Sequence, residues 1–392
     1  MNKNQAEDQW EDEAFETFPV LLSQSYTLEE QLKEDILPHR YQNVTTRDLP
    51  ETTPKRQRAS ISAQSLDQDE YLPGKILLPH KGEDDNTLSP QNTVLYLAYG
   101  SNLASETFLG TRGIKPLSQL NVLVPELRLT FDLPGIPYME PCFAGTHFRS
   151  TDATDLQVPD DDDRDDFSEK HSLLQPQDHS HDQDRYTGPL IGVVYEVTIH
   201  DYAKIIATEG GGRGYKDIII TCYPFPTSYN PKDPIPAHPD PSSNPVKAHT
   251  LLSPAGMKQL QFMQLQTTSP SSSNPHTRPS SRCAQPSARY LKLITTGAEE
   301  HNLPVAYREY LAQIQPYHVT SLRQKVGKGI FVVMWAPLLL ILLALTRILA
   351  RPDGRSPGWV AKATDLAFAS MWSSYDHVFR RLFGNGERTV KR

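Results

Sequence analysis

The segment of this chain best suited to chemistry is an apolar strand that ends in a small polar loop. Residues 93–98 form a nearly continuous apolar run, and Tyr99, Gly100, Ser101 and Asn102 follow it directly. A glycine-containing loop of this kind can turn several backbone N–H groups towards one anionic group. The same residue types also make ordinary turns at strand ends. The loop therefore predicts either a carboxylate-binding site or a plain turn.

A second candidate is the acidic residue Glu209. It follows a segment in which Tyr202, Ile205 and Ile206 have helical spacing, and three glycines come after it at 210–212. A carboxylate in a sheltered pocket can accept a proton from one reacting group and return it to another. A surface glutamate before a glycine cap would have the same sequence. The spacing alone leaves both interpretations open.

The elements that must position these residues are indicated by hydrophobic periodicity and turn signals. Thr198 and Asp201 form a capping pair, so a helix is predicted to begin directly after a strand. A half-buried strand is predicted to end at Pro134 and Gly135. The predicted strands are 93–98, 126–132, 190–197 and 215–223, and two short helices are predicted around 290–294 and 307–314.

Two further segments lie close together near residue 300. The first runs from Ser287 to Ile294, and the second from Gly297 to Pro304. Taken in chain order with the loop and with the strand and glutamate of 192–215, they resemble the gamma-glutamylcyclotransferase family, particularly its fungal members. The resemblance covers about a third of the chain, namely residues 93–135, 189–225 and 286–318.

This resemblance implies a fold and an activity. The fold is of the α+β class, a small mixed β-barrel or sheet of the gamma-glutamylcyclotransferase-like type with flanking helices. The reaction converts a gamma-glutamyl amino acid, or a glutathione-related gamma-glutamyl compound, to 5-oxoproline and the free amino acid or amine. Because the attacking amine belongs to the substrate itself, no covalent enzyme intermediate is required. Neither a cofactor nor a metal is expected.

The resemblance also assigns roles to individual residues. The family's catalytic glutamate, a proton acceptor and donor, falls on Glu209. Its substrate loop and pocket residues fall on Tyr96, Leu97, Ala98, Tyr99, Gly100, Ser101, Asn102, Leu103, Tyr215 and Tyr290. For the last two tyrosines, core packing is an alternative role. A second function hypothesis is a membrane-anchored adaptor that uses a catalytically inactive cyclotransferase fold.

Composition limits the number of folded units and the kinds of partner. The chain has 392 residues, of which 38% are hydrophobic and 33 are prolines, so one globular domain is expected. A net charge of −8 without a continuous basic face argues against nucleic acid as a partner. The expected partners are a small gamma-glutamyl substrate and a membrane lipid bilayer, and a homodimer is left open.

Cysteine usage and the start of the chain bear on the compartment. Cys142, Cys222 and Cys283 are far apart and match no metal-ligand spacing, which indicates a reducing environment. Residues 1–49 contain no basic segment followed by an apolar one, so no secretory signal is predicted. The catalytic domain is therefore expected in the cytosol.

The domain organisation follows from changes in composition. Residues 1–90 are predicted to be a disordered N-terminal arm and residues 91–320 the gamma-glutamylcyclotransferase-like domain. Disordered insertions are predicted at 150–188 and 226–286. The first contains several Asp and His residues, for which a solvated insertion is a simpler interpretation than a metal site.

The C-terminal region predicts an interaction with a membrane. Residues 329–350 are almost entirely apolar and about as long as the ~20 residues that cross a bilayer, so a single transmembrane helix is predicted. A buried core helix is the alternative. Residues 351–392 are predicted to form an amphipathic basic tail that lies among lipid headgroups or packs against a partner protein. The protein is thus expected to be a single-pass membrane protein.

Overall fold

The computed structural model describes residues 49–63, 93–149, 186, 188–209, 216–236, 238–239, 243–252, 284–349 and 356–389. The strands within these ranges are β1 (Thr93–Ala98), β2 (Ser118–Val124), β3 (Leu127–Ile136), β4 (Glu140–Phe148), β5 (Leu190–Thr198), β6 (Lys216–Pro224) and β7 (Val246–Leu252). The α-helices are α1 (Pro54–Ala59), α2 (Ile199–Thr208), α3 (Ala288–Glu300), α4 (Val305–Gln313), α5 (Leu322–Ile348), α6 (Gly358–Ser374) and α7 (Arg380–Phe383).

Five strands close into a small barrel in the order β1-β5-β2-β6-β7. Strand β1 pairs antiparallel with β5 and parallel with β7, so the barrel is mixed. Strands β3 and β4 form a separate hairpin. Together with the helices, this arrangement confirms the α+β class and the mixed barrel expected from the sequence.

The barrel core explains why β1 and β5 are so apolar. All six residues of β1 are buried, as its continuous apolar run predicts. Gly192 of β5 lies against Ala98 of β1, and a side chain at this glycine would meet the carbonyl oxygen of Ala98 at 2.5 Å. Helix α2 then begins with Thr198 as its N-cap, whose hydroxyl accepts a hydrogen bond from the Asp201 amide at 3.0 Å. The predicted strand and helix start are confirmed.

Strand β3 differs from its prediction at its end. Pro134 and Gly135 do not end the strand, which continues to Ile136, and Pro134 pairs with Cys142 of β4. The register shifts between Thr130 and Leu133, and a strand irregular at this point tolerates a proline that lacks an N–H donor. A side chain at Gly135 would overlap the backbone of β4, so the glycine permits the close pairing.

Strands β2, β4 and β7 were absent from the sequence predictions. Strand β7 lies within 226–286, where an insertion was predicted, and it closes the barrel by pairing with β6 from Lys216↔Leu252 to Cys222↔Val246. The apolar pattern of this strand is short, and the proline-rich and serine-rich residues on either side of it make the whole segment read as an insertion. The reading of 226–286 as one disordered insertion is therefore wrong for 246–252.

Part of the predicted N-terminal arm also packs on the barrel. Residues 49–63 contain α1, and Glu51 forms a β-bridge with Gln119 of β2. The Arg56 guanidinium lies 3.0 Å from the Glu196 carboxylate of β5. These contacts join distant segments, so local polarity could not reveal them. The other residues of the predicted arm, and nearly all of 150–188, lie outside the described residues.

The C-terminal helices form a second apolar cluster. Helix α5 begins at Leu322, seven residues before the predicted apolar segment, and Leu322–Thr346 is long and apolar enough to cross a membrane, with a mean hydropathy of 2.5. Helix α6 packs against α5. The cluster between them includes Tyr138, Phe331, Leu339, Leu342, Ala367, Met371, Trp372, Tyr375 and Phe379.

The aromatic residues of the tail therefore have a different role from the predicted one. The tail 351–392 was expected to lie among lipid headgroups or to pack against a partner protein, but its residues Met371, Trp372, Tyr375 and Phe379 are buried against α5 and the β3–β4 hairpin. The surface that covers them comes from the same chain.

Candidate active site

The fold brings the polar loop and the glutamate together. Glu209 is the C-terminal cap of α2 and its carboxylate points back towards the end of β1. The Asn102 side-chain amide lies 3.4 Å from Glu209 Oε1 and donates a hydrogen bond to the Tyr96 hydroxyl at 2.8 Å. The candidate proton acceptor and the candidate substrate loop thus share one space.

An arginine that the sequence analysis did not identify completes this group. The Arg112 guanidinium donates to Glu209 Oε1 and to the hydroxyl of Thr208. Both charged side chains are largely shielded, with 11% of Arg112 and 20% of Glu209 exposed. The pair is separated by 97 positions in the sequence, so no local pattern could have indicated it.

The glutamate keeps one oxygen available. Oε1 contacts Arg112 and Asn102, whereas Oε2 has no hydrogen-bond donor among the described residues. A carboxylate held through one oxygen is oriented, and its other oxygen can exchange a proton with a ligand.

The loop also keeps donors available. The turn Ser101–Leu103 is closed by hydrogen bonds from the amides of Leu103 and Ala104 to the carbonyls of Gly100 and Ser101, both at 3.1 Å. The amides of Gly100, Ser101 and Asn102 bond to no other described residue. Consecutive free N–H groups of this kind suit an anionic oxygen.

Tyr290 lies directly beside this loop. Its hydroxyl accepts a hydrogen bond from the Ala144 amide at 3.1 Å, and its own proton has no acceptor among the described residues. A side chain at Gly100 would come within 3.2 Å of the same hydroxyl, so the glycine leaves the space that Tyr290 needs. Tyr290 belongs to α3, whose N-cap is Ser287.

The remaining loop positions have structural side chains. Leu97, Ala98 and Leu103 are fully buried in the hydrophobic core. Tyr99 is buried and donates a hydrogen bond to the Leu251 carbonyl at 2.9 Å, which ties the loop to β7. Tyr215 lies outside the described residues.

The buried tyrosines are hydrogen-bond donors at neutral pH. Burial raises the pKa of the Tyr96 hydroxyl well above its usual range, and the nearby Glu209 carboxylate raises it further. The pKa of Tyr290 is raised by the same two causes, with burial the larger, against a lowering by its bond to Ala144. Each phenol therefore stays protonated beside the loop.

Helix α3 holds the far end of the loop. A side chain at Gly297 would overlap the backbone of Leu103, so this glycine allows the helix to lie directly on the turn. Glu300 accepts hydrogen bonds from the Ser105 amide at 2.8 Å and the Ser105 hydroxyl at 2.7 Å. His301 Nε2 lies 3.1 Å from the Leu103 carbonyl oxygen. The segment 297–304, which the sequence grouped with the site, positions the loop.

A buried polar network positions the glutamate from the other side. Tyr202 of α2 donates to Asp217 of β6, and His249 Nδ1 of β7 lies 3.0 Å from the same carboxylate. The network joins the helix that ends at Glu209 to two strands of the barrel. No local sequence pattern indicates this network, because its three members are distant in the chain.

Together these features place a largely shielded carboxylate beside a turn whose amides have no described partner, an arrangement that suits proton transfer next to an anionic group. The chain is similar to Gamma-glutamyl cyclotransferase gliK of Aspergillus fumigatus, at 31% identity over 300 residues covering 76% of this chain and 90% of that protein. It is similar to Gamma-glutamyl cyclotransferase aclK of Aspergillus oryzae at 29% identity over 303 residues, 75% of this chain and 90% of the relative.

Two further comparisons concern the C-terminal module and the solved structures. Residues 321–382 match the family model described as the AclK C-terminal domain. A solved structure named Gamma-glutamyl cyclotransferase covers 58% of this chain and 92% of its own, at 16% identity and a TM-score of 0.34. By its sequence relatives, this chain belongs to the gamma-glutamyl cyclotransferase family and is an enzyme.

Proposed function

We propose that this protein converts a gamma-glutamyl amino acid, or a related gamma-glutamyl amide, to 5-oxoproline and a free amine, with Glu209 as the proton acceptor and donor. The observation that carries the proposal is the 3.4 Å approach of Asn102 to Glu209, which places a carboxylate beside the free amides of the loop. A gamma-glutamyl group needs both, because it presents an α-carboxylate and an α-ammonium group together.

The reaction is an intramolecular aminolysis. Glu209 Oε2 removes a proton from the α-ammonium group, and the freed amine attacks the side-chain carbonyl carbon. A tetrahedral oxyanion forms, and its negative charge is stabilised by backbone N–H donors. Glu209 then returns the proton to the leaving nitrogen and takes the remaining extra proton from the ring nitrogen. The oxyanion collapses, the old C–N bond breaks, and the five-membered lactam and the amine leave, the amine taking up this last proton as ammonium. The tethered nucleophile supplies the high effective concentration.

The surrounding residues have distinct parts in this scheme. The amides of Gly100, Ser101 and Asn102 bind the α-carboxylate or the oxyanion. Tyr290, a protonated donor with no acceptor in the described chain, binds a second substrate oxygen. Arg112 is a positioning residue, because it fixes the carboxylate through Oε1 and leaves Oε2 to the substrate.

The leaving amine defines the substrate subclass. Gamma-glutamyl amino acids, glutathione and gamma-glutamylamines share the gamma-glutamyl group that the loop and Glu209 recognise. They differ only beyond the scissile bond. The gamma-glutamyl group is therefore the part of the substrate that we propose the site recognises.

Attachment to a lipid bilayer is the second part of the proposal. Leu322–Thr346 is as long and apolar as a membrane-crossing segment, and much of its outward surface is exposed apolar side chain. An exposed apolar surface that extends along a whole helix is covered in the cell by a lipid or a protein surface. The catalytic barrel lies on the cytosolic side.

A product assay tests the proposed activity. The full-length protein, purified in detergent, is incubated with gamma-glutamyl amino acids, glutathione and gamma-glutamylamines, and 5-oxoproline is measured by mass spectrometry. Release from at least one of these compounds is expected. Stable substrate binding without any 5-oxoproline would contradict the proposal and favour the adaptor hypothesis.

A further inference from the structure

Both ends of the C-terminal module, residues 321–389, lie against the catalytic domain. After α7 the chain returns to the start of α5, where Gln324 Nε2 donates to the Asn385 carbonyl at 2.8 Å. The Tyr138 amide of the β3–β4 hairpin donates to the Gly386 carbonyl at 2.8 Å, and the Gln285 amide donates to the Glu387 carbonyl at 2.8 Å. The module is therefore a helical hairpin with its base on the barrel domain.

The two helices run antiparallel along their length. Near the base, a side chain at Gly327 would overlap Phe383. Further along, the Phe331 ring packs edge-on against Phe379, with centroids 4.9 Å apart. Trp335 Nε1 then donates to the Ser374 hydroxyl at 3.1 Å. If α5 crossed a bilayer, the adjacent part of α6 would therefore lie at the same depth.

The outward face of α5 is apolar from Ile330 onwards. Its sequence contains no charged residue between Lys328 and Arg347. The large apolar side chains exposed on this face are Ile330, Val333, Met334, Leu338, Ile341 and Ile348. Val333 is 77% exposed and Ile348 70%, so the face is uncovered in the described chain.

The outward face of α6 has a different character. Lys362, Ser370 and Ser373 are exposed along it, and His377 is exposed directly after its end. Leu366 is exposed at the middle of the helix, and Trp359 is exposed near the tip of the hairpin, where an aromatic residue can anchor at a membrane interface. The hairpin as a unit is thus apolar along α5 and largely polar along α6.

We infer that α5 inserts lengthwise into one leaflet of a bilayer, with α6 covering it on the water side, and that the chain does not cross the membrane. A crossing hairpin would place the polar outward face of α6, including Ser370 and Ser373 beside the apolar part of α5, in hydrocarbon, which is costly. An interfacial position leaves that face in water and buries only the apolar face of α5.

The charge pattern agrees with an anionic membrane surface. Arg323, Lys325 and Lys328 lie at the base of α5, Arg347 lies in its last turn, and Arg351 follows in the sequence. The sequence from 322 to 352 contains no Asp or Glu. Basic residues at both ends of an apolar face favour headgroups with negative charge. This inference depends on the proposed attachment to a bilayer. In place of the single crossing expected from the sequence, it has the hairpin insert from one side only.

The test uses the full chain with sealed vesicles of phosphatidylcholine and phosphatidylserine at about 3:1, a composition that supplies anionic headgroups. Cys283→Ser removes one native thiol, and the buried Cys142 and Cys222 are shielded from labelling. Single cysteines are introduced as Val333→Cys and Ser373→Cys and labelled with a polarity-sensitive fluorophore. A C-terminal tag reports sidedness through protease digestion outside the vesicles.

One-leaflet insertion predicts a blue shift for the probe at 333, little change at 373, and complete removal of the tag from vesicle-bound protein. A protected tag, or equal shifts at both positions, would overturn the inference while the bilayer attachment stands. Failure of the protein to float with vesicles would overturn both. None of these outcomes affects the 5-oxoproline assay, which tests the activity separately.

A matched pair of charged variants provides a second measurement. Val333→Asp places a carboxylate on the apolar face and is expected to weaken vesicle partitioning roughly a hundred-fold, because a charge in hydrocarbon is strongly disfavoured. Ser373→Asp, on the outward face of α6, is expected to leave partitioning within a few-fold. Equal losses in the two variants would contradict the assigned orientation.

Discussion

At the scale of single residues, the site depends on how one carboxylate is held. Glu209 meets Arg112 and Asn102 through Oε1, and Oε2 is left for the ligand. A base that is oriented in this way exchanges a proton along a defined direction. Residues that contact only the glutamate can therefore change the rate of turnover although they do not bind the substrate.

Arg112→Lys tests this positioning. Lysine keeps the charge but cannot contact Glu209 and Thr208 together as the planar guanidinium does. We expect kcat to fall roughly 10–100-fold with a small change in KM, because misplacing a catalytic group by about 1 Å costs on that order. Steady-state kinetics provide the measurement. Arg58→Lys, at an exposed position of α1, is the control, and equal kcat values in the two variants would refute the assigned role.

His301 makes the stability of the fold depend on pH. Burial lowers the pKa of this histidine to about 4. The unfolded side chain has a pKa near 6.5, so between pH 6.5 and 4 the unfolded state binds more protons than the folded state. The free energy of unfolding therefore decreases as the pH falls through this window, by about 3 kcal/mol in total. Urea unfolding at pH 7 and pH 4.5 measures the loss. His301→Gln should lose less stability between these pH values, and identical losses would contradict the argument.

At the scale of elements, α2, α3 and β1 meet at the site because each is tied to the barrel at a specific point. The network of Tyr202, Asp217 and His249 fixes α2, and close approach at Gly297 fixes α3 against the turn Ser101–Leu103. The geometry of the loop therefore depends on a helix that follows it by almost two hundred residues.

Gly297→Ala tests the approach of α3. The new methyl group would overlap the Leu103 backbone, which cannot move without displacing the loop. We expect a loss of about 1–3 kcal/mol in unfolding free energy, typical of an overpacked core, together with a higher KM. Gly329→Ala in α5 is the control, because a side chain there would meet nothing within 4 Å. Denaturant unfolding and substrate titration measure the two effects, and a stable variant with unchanged KM would oppose this account.

At the scale of the whole molecule, the barrel core and the C-terminal cluster are separate. Tyr138, at the tip of the β3–β4 hairpin, belongs to the C-terminal cluster, where its ring lies 5.6 Å from Tyr375 and its hydroxyl donates to the Gly384 carbonyl at 2.8 Å. The hairpin thus connects the two parts, and the same strand pair supplies the Ala144 amide to Tyr290.

Truncation after residue 320 tests this separation. Because the barrel core does not include the module, the fragment should fold and retain 5-oxoproline release within several-fold. Exposed Tyr138 should lower its solubility, and Tyr138→Asn should restore it, since asparagine tolerates the positive φ of 65° at this position. Circular dichroism and product release provide the measurement. An unfolded fragment in both forms would show that the module is part of the barrel's core.

The elements that could be predicted from the sequence are those set by residues close together in the chain. The apolar run of β1, the capping pair of α2 and the end of that helix at Glu209 are all encoded within a few residues. Strand β7, Arg112 and the docking of 49–63 depend on partners far away in the chain, and no window of sequence contains both members. The helix at 329–350 and the amphipathic character of the tail 351–392 were predicted, but their packing against each other was not, because an apolar face does not specify what covers it.

The most direct measurement is the turnover of Glu209→Gln beside Glu299→Gln, an exposed glutamate of α3 that serves as the matched control. We expect Glu209→Gln to fold normally and to lose roughly 10²–10⁴-fold in kcat for 5-oxoproline release, the range typical of a lost general acid and base. Glu299→Gln should retain full activity. A Glu209→Gln protein that turns over as fast as the control would contradict the central claim.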